Sequence, residues 1–328
     1  MSKSSICIAS ADSLVGQAVL KYCAVECWKS FESMSCIYNR NDPAAFHEFF
    51  SRAFAAMPEA KLSVSAQGLD YTDMDQTVDS FRGCDYVIVC PPDGMESMEM
   101  KRWCDWIMRA CIQANVGQIL CVSCMGCDNV AQEKHLDWQG AQSTSLSRWF
   151  DCCEQVCRLY YPQCDIIRHA FLYQWFASWT KLCQQRRLFE ACWGKSGEGS
   201  MSCVDVDDVA RMACRLVCHK YPASGKVWQC CGPECLDGAG VADAFAKSQV
   251  APGCTFKSVP VDVCRKMMAK FVRMEGMTWT KCTMEQCCTW MVFAASGHCG
   301  WQTQDLKLVC GNPGMRLTVW LQTQPVMA

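Results

Sequence analysis

The sequence predicts an α/β protein built on a doubly wound parallel sheet, with a smaller, mainly helical C-terminal lobe. Three observations carry this. Short, near-continuous apolar runs of strand length alternate with helical stretches through the first half, and such strands are buried on both faces of a parallel sheet covered by helices. The first apolar run turns into a helix through a stretch of small residues. Hydrophobic residues make up 51% of the 328-residue chain and charged residues 20%, enough apolar material for a large core.

The elements follow in order. Ser5 to Ala9 reads as the first strand, Val15 to Trp28 as a helix and Ser35 to Asn39 as the second strand. Ala44 to Ala56 reads as a helix because Phe46, Phe49, Phe50 and Phe54 recur at spacings of three and four. Leu62 to Ala66 is a third strand, Met74 to Phe81 a short helix, and Asp85 to Cys90 a fourth strand stopped by Pro91 and Pro92. Met98 to Asn115 is a helix, and Gly117 to Ser123 contains the fifth strand. Beyond it come a helix over Leu146 to Leu159, a sixth strand at Cys164 to Arg168 and an extended piece at Ser202 to Val206. A helix over Asp207 to His219 begins with acids, which suits its dipole. Lys226 to Cys231 is a strand, and Gly240 to Lys247, Val261 to Glu275 and Met284 to Ala295 are helices. The expected division is a nucleotide-binding half over 1–160 and, over 161–328, the remaining strands with a substrate or interaction lobe.

In a dinucleotide-binding fold of the Rossmann type, glycines after the first strand let the backbone approach a pyrophosphate seated on the helix N-terminus. Here the run is Ala9-Ser10-Ala11-Asp12-Ser13-Leu14-Val15-Gly16. Ser10, Ser13 and Gly16 stand at the three positions, so only the last glycine remains. Small residues keep the geometry open, while the Asp12 carboxylate would repel a pyrophosphate. An ordinary strand–helix turn that binds nothing is the competing reading. At the end of the second strand Arg40 could take the 2′-phosphate of NADP, where NAD-specific proteins place an acid; a solvated loop arginine is the alternative.

The formal net charge of −2 argues against nucleic acid or an anionic membrane as the main partner. No apolar run approaches the roughly 20 residues of a spanning helix, and Ile6 to Ala9 begins a strand rather than a secretory signal. The thirty cysteines therefore read as reduced thiols packed as small hydrophobes in a reducing compartment, the cytoplasm or an organelle. Cys121, Cys124 and Cys127 have C-x-x-C-x-x-C spacing, but Asp128 follows where a fourth cysteine and a proline would complete a ferredoxin run. No metal is expected.

The order and spacing of several pieces resemble the NmrA-like family of atypical short-chain dehydrogenases. They are Ser10 to Gly16, Asn39-Arg40, Phe81 to Asp85, Pro91-Pro92, Ala114 to Gly117 leading into Val122-Ser123, Cys164 to Arg168, Val204 to Ala210, and Cys231 to Glu234. The resemblance implies an NADP-binding fold. It also implies one of two activities: reduction of quinones, phenolics or iminium compounds, or nucleotide binding by a catalytically silent redox sensor or regulator.

Family members that use a lysine place it four residues before a glutamate on the helix after the fifth strand. Glu154 matches the acid, but Phe150 stands at the lysine position, and the region has no Tyr-x-x-x-Lys. The remaining candidate donors are Ser123 at the end of the fifth strand, His135 in the following loop, and His169 and Tyr173 after the sixth strand. Cofactor contacts are expected from Ser10, Ser13, Gly16, Arg40, Pro91, Pro92 and Ser123. A substrate pocket is expected from Pro91, Met95, Met125, Phe171, Tyr173 and Trp175. Two functions stay open: an NADP-dependent reductase of a small flat or aromatic acceptor, and a silent nucleotide-binding sensor or scaffold subunit with a protein partner.

Overall fold

A computed structural model of the chain describes residues 4–39, 43–55, 63–127, 150–195, 198–218, 224–271, 281–297 and 299–324. A seven-stranded sheet dominates. Its strands are β1 (Ser4–Ala9), β2 (Phe31–Tyr38), β3 (Ser63–Gly68), β4 (Tyr86–Val89), β5 (Gln118–Cys124), β6 (Asp165–His169) and β10 (Val227–Cys230). Their spatial order is β10-β6-β5-β4-β1-β2-β3. The pairings β1 with β2, β2 with β3, β1 with β4 and β4 with β5 are all parallel. Strand order therefore reverses between β1 and β4, and a crevice opens at such a switch point outside the carboxyl ends of the strands.

Burial explains why these segments are strands. Ile6, Cys7, Ile8 and Ala9 of β1 and Val87, Ile88 and Val89 of β4 are wholly buried, as central strands covered on both faces must be. Local chemistry fixes the helix starts. In α1 (Leu14–Val25) the Ser13 hydroxyl caps the helix by accepting from the Gly16 amide at 3.0 Å. In α3 (Met74–Phe81), which follows α2 (Pro43–Ala55), Asp73 accepts from the Gln76 amide at 2.8 Å. Next come α4 (Ser97–Gln113) and α5 (Cys152–Tyr160). The expected start of the last helix, 146–149, lies outside the described residues.

The chain divides into two compact units. The first comprises Met1–Ser123, Trp149–Arg168 and Val209–Trp228. The second comprises Cys124–Arg148, His169–Asp208 and Gln229–Ala328. Helix α6 (Ala177–Arg186) lies in the second unit, as do α8 (Gly238–Lys247), α9 (Val261–Phe271), α10 (Lys281–Ala295), α11 (Asp305–Cys310) and α12 (Leu317–Thr323); α7 (Val206–Cys218) spans the boundary. Helices predominate in the second unit, but two small sheets accompany them. One is β11-β9-β7, from Cys235–Leu236, Met201–Val204 and Phe171–Leu172; the other pairs β12 (Thr255–Ser258) with β8 (Leu188–Ala191) in parallel. Its core is aromatic, with Phe171 against Trp175 at 4.8 Å, Phe171 against Phe176 at 5.0 Å, and Trp179 against Phe189 at 5.7 Å between ring centroids.

Gly16 is required by packing. A Cβ built there would lie 2.1 Å from the Ser10 carbonyl oxygen and 2.9 Å from the Ala11 Cα, both backbone atoms that cannot swing away. The last glycine of the turn thus lets α1 close onto the end of β1. Gly16→Ala is expected to cost about 3 kcal/mol through forced backbone displacement. Urea unfolding checks this, and a loss below about 1 kcal/mol would mean that the turn yields.

Candidate functional site

The turn after β1 sits at the switch point and is held by its own side chains. Ser10 adopts the left-handed region with φ 58°, the conformation that glycine takes freely at the first position of a phosphate loop. The Ser10 carbonyl accepts from the Ser13 amide at 3.1 Å and from the Ser13 hydroxyl at 2.9 Å. Asn39, at the end of β2, reaches across: its side-chain amide donates to the Ser10 hydroxyl at 2.9 Å, and its backbone amide donates to Asp12 Oδ2 at 2.9 Å. Asp12 therefore joins the turn to the edge of β2. Burial raises its pKa, while the hydrogen bonds it accepts pull the other way.

A second carboxylate closes the other side. Pro91 and Pro92 are buried after β4, and the loop they begin brings Asp93 to the start of α1. Asp93 Oδ2 accepts from the Leu14 amide at 2.5 Å. Leu14 is the first residue of the helix, so Asp93 occupies a donor that a bound anion would use. Asp93 is exposed, and its carboxyl is held by the Leu14 amide. Desolvation there pushes its pKa up to about 6; the Leu14 hydrogen bond opposes this, and the nearby Asp12 charge adds to it.

This arrangement bears directly on whether a dinucleotide fits. The strand–turn–helix geometry, the switch point and the α1 N-terminus suit a pyrophosphate. The Gly16 amide is already capped by Ser13, and the Leu14 amide is held by Asp93. A pyrophosphate would have to displace the Asp93 carboxylate or meet it protonated, with Asp12 close by. The sequence signalled Asp12 through its place in the turn; Asp93 carried no signal, because its role depends on β4 lying beside β1.

Ser123 lies within the same unit. It is fully buried and donates to Glu154 Oε1 at 2.5 Å. Arg168, at the end of β6 within this unit, grips the same carboxylate with both arms, Nε to Oε1 at 2.9 Å and Nη2 to Oε2 at 2.8 Å. The side chains are 11% and 3% exposed for Arg168 and Glu154. A carboxylate gripped by a bidentate guanidinium accepts charge-assisted hydrogen bonds, so Glu154 fixes the orientation of Ser123. Phe150, where the resemblance implies a lysine, is buried.

The other candidates fall elsewhere. Arg40 and His135 lie outside the described residues. In the second unit, Tyr173 is fully buried, donates to the Met315 carbonyl at 3.0 Å and packs on Trp320; burial pushes its hydroxyl well above the ordinary range. His169 Nδ1 donates to the Ala170 carbonyl at 2.7 Å, and burial lowers its pKa to about 4, which keeps the ring neutral near pH 7. Of the expected pocket, Pro91 and Met95 belong to the first unit and Met125, Phe171, Tyr173 and Trp175 to the second. All six are buried. Cys121 and Cys124 are three residues apart on β5, which points them to opposite faces.

The fold and its switch point define a Rossmann-type α/β protein. No family model matches the sequence, and no curated protein matches it. Solved structures do, along nearly the whole chain. A nucleoside-diphosphate-sugar epimerase from Staphylococcus aureus shares 15% identity at TM-score 0.72, covering 97% of this chain and 99% of its own. An NADPH-dependent quinone oxidoreductase from Escherichia coli shares 16% at TM-score 0.70, covering 96% and 98%. A triphenylmethane reductase from Citrobacter sp., solved with NADP(H), shares 13% at TM-score 0.72, covering 97% and 99%. At these identities the likeness is one of fold, and it is the fold that the resemblance to NmrA-like proteins implies. Among the described residues, no helix is long and apolar enough to cross a membrane.

Proposed function

We propose that the chain is an NADP(H)-dependent reductase of a small flat or aromatic acceptor of the quinone, enone or iminium type, whose nucleotide site is guarded by Asp93. The observation that carries this is the α1 N-terminus at the switch point, where a backbone donor faces an acid that can be protonated or displaced. The likeness to NADPH-dependent reductases over nearly their whole lengths supports it. When bound, the nicotinamide would supply the hydride. The chain's own part is to hold the pyrophosphate against Ser10 to Gly16, to present Arg40 to the 2′-phosphate and to exclude water with Pro91, Pro92 and Met95. An acceptor that is already electrophilic needs orientation more than a proton donor. That suits a site in which Glu154 is clamped by Arg168 and Phe150 replaces the lysine.

A second reading, a silent nucleotide-binding sensor or scaffold subunit, is favoured by one specific observation: a buried Phe150 stands where the resemblance implies the lysine of a hydride-transferring enzyme. The two readings separate in one experiment. NADPH fluorescence is followed on mixing with the protein, and its oxidation is then followed with a panel of quinones, enones and iminium dyes. The reductase reading expects a fluorescence shift, weaker binding of NADH than of NADPH, and turnover with at least one acceptor class. Binding without any turnover gives the site to the silent reading, and equal affinity for NADH and NADPH removes the role given to Arg40.

A further inference from the structure

The second unit brings together three cysteines that the sequence keeps far apart. Cys192 follows β8, Cys264 lies on α9 and Cys288 on α10, and their sulfurs all lie within 4.8 Å of one another. All three are buried. A fourth sulfur stands beside them: the Cys288 thiol donates to Met268 Sδ at 3.7 Å. Met268 is one helical turn after Cys264 on α9, so both face the same way. Among the described residues no histidine or carboxylate belongs to this group.

We propose that Cys192, Cys264 and Cys288, with Met268 beside them, form a binding site for one Cu(I) ion. Three ligands around a metal at a metal–sulfur distance of about 2.3 Å stand roughly 4 Å apart. Thiols already within 4.8 Å therefore need to move by less than about 1 Å, which side-chain rotation supplies. The donor set selects the ion. A hard cation would need oxygen ligands. Zn(II) asks for four strong donors in a closed tetrahedron, and a thioether is a poor fourth. Thiolate and thioether sulfur together suit Cu(I).

The site also has the right mechanical character. Its ligands come from the end of a strand and from two helices, which hold geometry better than loops. Beside Cys264 on α9, Arg265 pairs with Glu285 of α10 at 2.7 Å, which ties the two ligand-bearing helices together. On binding, each thiol that ligates as thiolate passes its proton to solvent. The ion enters as Cu(I), so no electron moves.

The test uses the reduced, full-length protein under anaerobic conditions. One equivalent of Cu(I), buffered by a chromophoric bicinchoninate chelator, is added, and thiol alkylation in the native state is mapped residue by residue by mass spectrometry. Cys192, Cys264 and Cys288 are expected to react about a hundredfold more slowly as a set when free Cu(I) is near a hundred times its Kd. The buried thiols Cys111 and Cys299 serve as the control and keep their rates, and protection of Cys23 and Cys214, whose sulfurs are 3.1 Å apart, in place of the three would overturn the proposal. C264S is expected to release the equivalent to the chelator, whereas C23S/C214S retains it. X-ray absorption is expected to show sulfur neighbours only. Protection spread evenly over all thiols, protection by Zn(II) but not Cu(I), or no protection of the three overturns the proposal. Because the mapping is done on the unaltered chain, a variant that fails to fold does not decide the matter.

Discussion

Asp93→Asn is expected to tighten NADP+ binding by about tenfold or more at pH 7.5, since it removes a full charge from the place of an anion. Asparagine keeps an oxygen for the Leu14 amide, so the turn is preserved while the repulsion goes. The pH profile carries the finer test. In the unaltered protein the Asp93 carboxyl titrates near 6, and the groups facing it are Asp12 and the positive end of α1. Binding is therefore expected to strengthen as pH falls through about 6, where the carboxyl gains a proton, and Asp93→Asn is expected to lose that rise. The same group affects folding. Its folded pKa is raised above the ordinary 3.8, so the fold binds the extra proton between those values, and stability from this group falls as pH rises from about 4 to about 6. Calorimetric titration with NADP+, which tolerates mild acid, reads the binding. An unchanged affinity in the variant would mean that Asp93 does not compete with the nucleotide.

Arg168→Ala is expected to destabilise the protein by about 3–5 kcal/mol, because it leaves the Glu154 carboxylate buried and uncompensated. Glu154 is 3% exposed on its side chain, and Arg168 supplies both arms of its clamp. The double variant Glu154→Gln/Arg168→Met is expected to recover most of this loss, since the charge that must be matched is gone. Urea unfolding of the three proteins forms the measurement. If the single variant loses less than about 1 kcal/mol, water reaches the pair and the closed setting described for Ser123 is wrong. The size of the expected loss also makes this pair a poor place to test catalysis. Ser123→Ala removes one donor and leaves the clamp intact, and it is the cleaner probe of any reaction at the strand end.

Much of the fold is legible in the sequence because its signals are local. β1, β4 and β5 are short apolar runs with Gly, Pro or small residues at their ends, and the helix over Met74 to Phe81 has the same bounds in the structure. β2 begins earlier than its apolar run indicates, at Phe31, because Phe31 and Ser33 pair with Ser4 and Ser5 of β1, with Glu32 as the extra residue between them, and Ser33 also pairs with Ser63 of β3. The second unit is harder to read. The four-residue strands Leu188–Ala191 and Thr255–Ser258 pair in parallel across a long stretch of chain. The helix Ala177–Arg186 follows a segment in which Tyr173, Trp175 and Phe176 are all core, so no polar stretch marks where it begins.

The candidate site divides in the same way. By itself the sequence determined the strand–helix alternation and the small-residue turn from Ser10 to Gly16, since each is a matter of residue type within one local segment. Only the tertiary structure decided that Asp93 reaches the Leu14 amide, that Arg168 clamps Glu154 beneath Ser123, and that Cys192, Cys264 and Cys288 meet. The physical reason is common to all three. A charge or a thiol acts over a few ångströms of space, and which residues share those ångströms is set by strand order and helix packing, to which neighbours along the chain give no clue.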